Sequence, residues 1–296
     1  MAPGPTPVPP EVLAAQGAPL VYHRGPGYGA LLREVTEGLK KIARTSSDVL
    51  VFAASGTGGL ESAVANLFSP GDPVLVPVAG YFGERFAKIA AAFGQQVRRI
   101  DYEWGQAVRA DDVAAALRER PAKAVLLQHS ETSTGLIHDV EAIGRVTREA
   151  GALLVVDGIS SLGAVPYEGD AWHVDVCVGG SQKAFSATPG LSFVSVSPAA
   201  WEATRSAKNP RFYFDWALYK EAFELPSPEN PFTPAISLML GMREALRLYF
   251  DEGAERVLER HRLLSAAVKE GVRALGLDLF GENLERGWAV TAIQAP

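Results

Sequence analysis

A mainly parallel β-sheet covered by helices on both faces is the fold class this sequence predicts. Three observations carry it. Short runs such as 124–127 and 153–156 are almost wholly apolar, without the alternation of a sheet that faces water on one side. Segments with apolar residues at three- and four-residue steps separate most of these runs. Polar and glycine-rich stretches follow directly where several runs end, which is where ligands gather in such sheets.

The elements follow in order. Residues 1–20 are rich in Pro and Gly with little periodicity, and read as an extended arm that needs a surface to lie against. A helix is predicted over 30–43, where Leu31, Leu32, Val35, Leu39 and Ile42 recur at helical steps. Strands are then predicted at 49–52, 73–78, 97–100, 124–127, 153–156, 174–178 and 191–196, giving seven. Helices are predicted at 60–68, 82–93, 111–118 and 140–150, with Asp111 as the N-cap of the third. After Pro234 the pattern changes to two long helices, 236–250 and 257–275, and two strand-like pieces, 277–280 and 288–293. This predicts an arm over 1–20, a large domain over 21–250, and the start of a smaller α+β domain over 251–296, which reads as unfinished.

The bulk composition narrows the function classes. The chain has 296 residues, 47% hydrophobic and 21% charged, enough for one large domain with a substantial core. A formal net charge of −6 gives no support to nucleic-acid or anionic-membrane binding. No apolar stretch approaches the roughly 20 residues of a membrane span, and the first residues lack the basic and apolar regions of a signal peptide. The single cysteine, Cys177, cannot form an internal disulfide and sits within an apolar strand pattern, as a small buried hydrophobe would. A cytoplasmic location is the expectation. The five histidines show no metal-ligand spacing, and Asp170, His173 and Asp175 read as a loop with a surface histidine.

The chemistry centres on Lys183. An apolar run ends in Asp157, and the next such run ends just before Gly179-Gly180-Ser181-Gln182-Lys183. An acid at one strand end and an amine shortly after the next is the arrangement a pyridoxal phosphate enzyme needs. The amine forms an imine with the cofactor aldehyde, and the acid holds a proton on the pyridine nitrogen. Ser55-Gly56-Thr57-Gly58-Gly59 lies between a strand and a helix. It reads either as a tight turn with a Ser cap or as a phosphate cradle at a helix N-terminus. Its spacing matches neither a Walker loop nor a dinucleotide fingerprint. Tyr81-Phe82 follows Gly80 after a strand and suits either core packing or stacking on a flat ring. The run from His129 to Gly135 sets hydroxyls and a carboxylate at another strand end, as a turn or as part of a site.

These segments resemble the class V aminotransferases, in particular the alanine–glyoxylate and serine–glyoxylate (serine–pyruvate) group. The likeness is carried by residues 155–163, 179–183, 3–9, 55–57, 80–85, 129–135 and 232–234, and covers nearly the whole chain. It implies the type I fold of pyridoxal phosphate enzymes, with a large sheet domain and a small C-terminal one. It implies that Lys183 carries the cofactor imine and Asp157 pairs with the ring nitrogen. Phe82 would stack on one ring face and Ile159 on the other. Ser55, Gly56, Thr57 and Gln182 would hold the phosphate, and Thr132 would contact the ring near its phenolic oxygen. Thr233 would reach the phosphate of a neighbouring subunit in a homodimer, over which the arm would drape. The family's substrate-carboxylate arginine lies in a part beyond Pro296, and no counterpart is named here.

The resulting expectation is a ping-pong aminotransferase taking alanine or serine as donor and glyoxylate or pyruvate as acceptor. The alternatives are a lyase of the same fold, or a truncated homologue that binds cofactor with impaired catalysis. A desulfurase would need a mobile exposed cysteine, which a strand-buried Cys177 is not.

Overall fold

The computed structural model describes residues 3–282 and 284–295. Its centre is a seven-stranded sheet formed by β1 (Asp48–Ala53), β2 (Pro73–Val78), β3 (Gln96–Asp101), β4 (Ala124–Gln128), β7 (Leu153–Asp157), β8 (Val176–Gly180) and β9 (Leu191–Val196). The spatial order is β1-β9-β8-β7-β4-β2-β3. Six strands run one way, and β9 runs against both of its neighbours. The reason is the link 181–190, too short for the crossover helix that a parallel return demands. Two further strands, β5 (Ser130–Glu131) and β6 (Leu136–Ile137), form a small hairpin at the end of β4.

Helices cover both faces. Successive residues of a strand point to opposite sides, so Val125 and Leu127 of β4 join one core while Ala124 and Leu126 join the other. The first core is closed by α2 (Pro26–Ala43), α5 (Ala110–Glu119), α6 (Val140–Glu149) and α9 (Ile236–Glu252). The second is closed by α3 (Gly56–Leu67), α4 (Tyr81–Ala92), α7 (Pro198–Ser206) and α8 (Trp216–Phe223). The expected two-layered cover and all seven strands are present.

The details differ in physically readable ways. The first long helix begins at Pro26, earlier than its apolar stripe, because proline suits the first helical turn. The N-cap of α5 is Arg109, which makes no side-chain cap. Asp111 sits instead in the first turn, where its charge suits the helix dipole. Strand β8 starts two residues later than its apolar pattern, because the Asp175 carboxylate is drawn into bonds from the Leu154 amide and the Ser197 hydroxyl. The arm is not simply extended: α1 (Pro10–Gln16) forms in it and packs on α9. Helix α10 (Ala254–Ala274) follows α9, and of the two strand-like pieces near the end only the antiparallel bridge Leu279–Ile293 is formed.

The chain adds β3 on one side of β2 and β4 on the other. The segments that leave β2 and β4 at their carboxyl ends therefore diverge, and a crevice opens between them.

Candidate active site

A cavity of about 230 Å³ lies at the carboxyl ends of the parallel strands. It gathers Ser55, Gly56, Thr57, Phe82, Thr132, Asp157, Ile159, Gln182 and Lys183, nine of the ten residues singled out in the sequence. A larger, more open cleft of about 550 Å³ lies at the opposite end of the sheet, beside Asp48 and Val196. Its charges are largely spent on one another: Lys220 pairs with Asp48 at 2.7 Å, and the Trp201 indole donates to the same carboxylate.

Each side chain reaches the smaller cavity by a local rule. Ser55 caps α3 as β1 ends, with a long 3.5 Å bond from the Gly58 amide. Gly56 leaves room for Ile159: a Cβ there would lie 2.4 Å from Ile159 Cδ1, so that side chain would have to shift. The free amides at the start of α3 thus face the cavity, a ready anion cradle. Phe82 sits in the first turn of α4, directly after β2. Thr132 lies in the turn of the β5–β6 hairpin, its Oγ1 2.6 Å from Ser160 Oγ, and both are buried.

Asp157 ends β7 and is 5% exposed. Burial pushes its carboxyl up to about 7; the bond from the Ile159 amide, Arg85 and Lys183 pull it down, while Glu131 adds to the rise. Lys183 is half-buried, and its Nζ donates to the Pro3 carbonyl at 3.1 Å. Desolvation lowers its pKa, with Asp157 opposing. An amine displaced toward its neutral form beside an acid is a nucleophile for an aldehyde.

Four features went unassigned in the sequence. Arg85 donates from Nη1 to Thr57 Oγ1 at 3.2 Å, and its guanidinium lies 4.8 Å from the Phe82 ring centre. One turn after Phe82, it shares that residue's helix face, which the i, i+3 spacing could have signalled. Ser130 and Ser160 also line the cavity. The fourth is the contact of the strap Pro3–Thr6 with this chain's own Lys183, since the arm was expected only to drape over a neighbouring subunit. The Thr6 amide donates to the Gln182 carbonyl, and the Thr6 hydroxyl to the Lys183 carbonyl at 2.9 Å.

Thr233 is not brought into this cavity. It is exposed and borders a separate small recess with Tyr28, Tyr213 and Asn230. His129 also faces elsewhere. It is buried among Tyr167 and Trp172, and desolvation pushes it down to about 3, so it stays neutral. Cys177 is 2% exposed and pushed up to about 12 by burial, an inert thiol. Among the described residues no group of three or more His, Cys, Asp or Glu is placed to hold a metal ion.

The cavity suits a flat, anionic, ring-bearing group. Phe82 and Ile159 offer apolar surfaces, α3 and Arg85 offer positive potential, and a buried Gln182 oxygen has no partner among the described residues. A lysine and a buried acid placed around such a group define an enzyme that works through pyridoxal phosphate.

The comparisons agree. The family model Aminotransferase class-V matches residues 3–293, and the chain belongs to that family of pyridoxal phosphate enzymes. It is 37% identical over 308 residues to a serine–glyoxylate aminotransferase of Methylorubrum extorquens, covering 99% of this chain and 76% of the relative. The structure of an alanine–glyoxylate aminotransferase from Nostoc sp. superposes with a TM-score of 0.96 at 34% identity, covering all of this chain and 79% of that one. A Synechococcus sp. protein named as a soluble hydrogenase small subunit is 41% identical over 297 residues, covering 99% of this chain and 77% of the relative.

Proposed function

We propose that the chain moves an amino group from alanine or serine to glyoxylate or pyruvate in two half-reactions. The observation that carries this reading is the meeting of Lys183, Asp157 and the Ser55–Thr57 cradle in one cavity. Pyridoxal phosphate supplies an aldehyde for covalent attachment and a ring that accepts an electron pair. Lys183 takes the proton from the donor's Cα and returns it, a task suited to an amine of lowered pKa. Asp157 keeps a proton on the ring nitrogen. Phe82 and Ile159 would hold the two ring faces, and Thr132, tied to Ser160, would offer its hydroxyl to the phenolic oxygen. Ser55, Gly56, Thr57 and Gln182 hold the phosphate, with Arg85 supplying positive charge through its bond to Thr57.

The hydrogenase name of the Synechococcus relative finds no thiolate set here, since the chain has one cysteine and it is buried. The substrates of the glyoxylate aminotransferases fit the lysine-centred chemistry directly.

Two wider features belong to the same proposal. The chain works as a cytoplasmic homodimer in which Thr233 serves the partner's phosphate. Supporting this, Phe212 is 74% exposed and forms an aromatic cluster with Tyr213 and Phe232 beside Thr233, a surface suited to burial by another subunit. No helix among the described residues is long and apolar enough to cross a membrane. Residues 1–20 act as an arm, 21–250 as the cofactor domain, and 251–296 as the start of a smaller domain.

The decisive experiment is Lys183→Ala. Purified wild-type protein given pyridoxal phosphate should develop a visible absorbance band that borohydride bleaches. Lys183→Ala should lack that band and lose turnover of alanine or serine with glyoxylate. Near-full turnover in the variant refutes the assignment.

A further inference from the structure

We infer that Glu131 is a positioning residue that fixes Phe82 by capping the start of α4. The inference rests on the cofactor reading above, because Phe82 is taken to face the ring. Glu131 is fully buried, yet among the described residues it forms no ion pair with a lysine or arginine. A lone buried carboxylate is costly unless hydrogen bonds answer it. Here they do. One oxygen accepts from the Phe82 and Gly83 amides, both at 3.0 Å. The other accepts from the Ser133 amide at 3.1 Å and the Ser133 hydroxyl at 2.6 Å. Ser133 Oγ in turn accepts from the Tyr81 amide at 3.0 Å.

The first three amides of α4 are therefore satisfied from the β5–β6 hairpin rather than from the helix's own cap residue. That residue is Gly80, which has no side chain to offer. A Cβ on Gly80 would lie 2.6 Å from both Glu131 Cγ and Ser133 Oγ, so the hairpin has taken the space a capping side chain would use. The negative charge also sits on the positive end of the helix. The adjoining residue, Thr132, enters the cavity itself. One hairpin thus sets both the ring-facing helix and a ring-edge hydroxyl, and it can hold their separation fixed.

A double-mutant cycle tests this. Pyridoxal phosphate is titrated into wild type, Glu131→Gln, Phe82→Ala and the double variant, reading the visible absorbance and the induced visible circular dichroism. Glu131→Gln is expected to weaken cofactor affinity about tenfold and to shrink the dichroism. In the Phe82→Ala background the same change should have little further effect, because the residue through which it acts is gone. If Glu131→Gln costs the same factor with and without Phe82, the inference is overturned. Should Glu131→Gln fail to fold, Ser133→Ala removes part of the same cap, and an effect equal in both backgrounds overturns the inference equally. A wild-type chain that forms no band defeats the cofactor reading and this inference together. A normal wild-type band with additive variants defeats the inference alone.

Discussion

Asp157 couples cofactor chemistry to stability. Its folded carboxyl titrates near 7, against 3.8 for an ordinary aspartate. Between those values the folded, cofactor-free chain keeps a proton that the unfolded chain has lost. Stability therefore falls as pH rises through that window, and the penalty is complete above about 7. Asp157→Asn should remove this slope. Thermal melts of the cofactor-free proteins should show the variant gaining on wild type between pH 5 and pH 8, while its turnover with cofactor drops. A wild-type chain that gains on the variant over the same range contradicts the burial argument. Lys183 and Asp157 were legible in the sequence because strand-end chemistry is local. Arg85 was legible only in part: the i, i+3 spacing sets it on the Phe82 face, while its bond to Thr57 requires α4 and the neighbouring α3 loop to be in position.

The elements that place the site are the helix starts after β1 and β2. At the first, Gly56 and Ile159 share a space that admits only one side chain. Gly56→Ala should push Ile159 toward the ring position and weaken cofactor binding with little change in cofactor-free melting temperature. Ile159→Val, which deletes Cδ1, should recover part of that loss. Equal affinity in wild type and Gly56→Ala, measured by absorbance titration, refutes the close contact. The strands were readable because burial on both faces makes them unbroken apolar runs. Helices α7 and α8 were missed, although Ser197-Pro198 and Asp215 are sound helix starts. Each is short and carries few buried residues, so tertiary packing on the second core decides them. Helix α1 has one buried residue, Val12, and depends likewise on α9.

At the scale of the molecule, the sheet order converts separate strand ends into one cavity. The crevice between the segments after β2 and β4 admits Phe82 from one side and Thr132 from the other. The absence of Thr233 from that cavity follows if it serves a second copy. Sedimentation should then give twice the mass of one chain, and Thr233→Val should weaken cofactor affinity without altering the fold. A monomer at working concentrations that binds cofactor normally refutes the shared site. Strand patterns carried the strand count, whereas the expectation that Thr233 serves a neighbouring subunit came from the family resemblance alone, because which residues meet within one copy depends on packing across the sheet.

The position of Pro3 against the Lys183 amine has a practical side. The strap lies directly against the group whose spectrum reports the chemistry. Any change to Pro3–Thr6 disturbs the surroundings of that amine, so preparations that keep the strap intact are the ones whose colour can be read at face value.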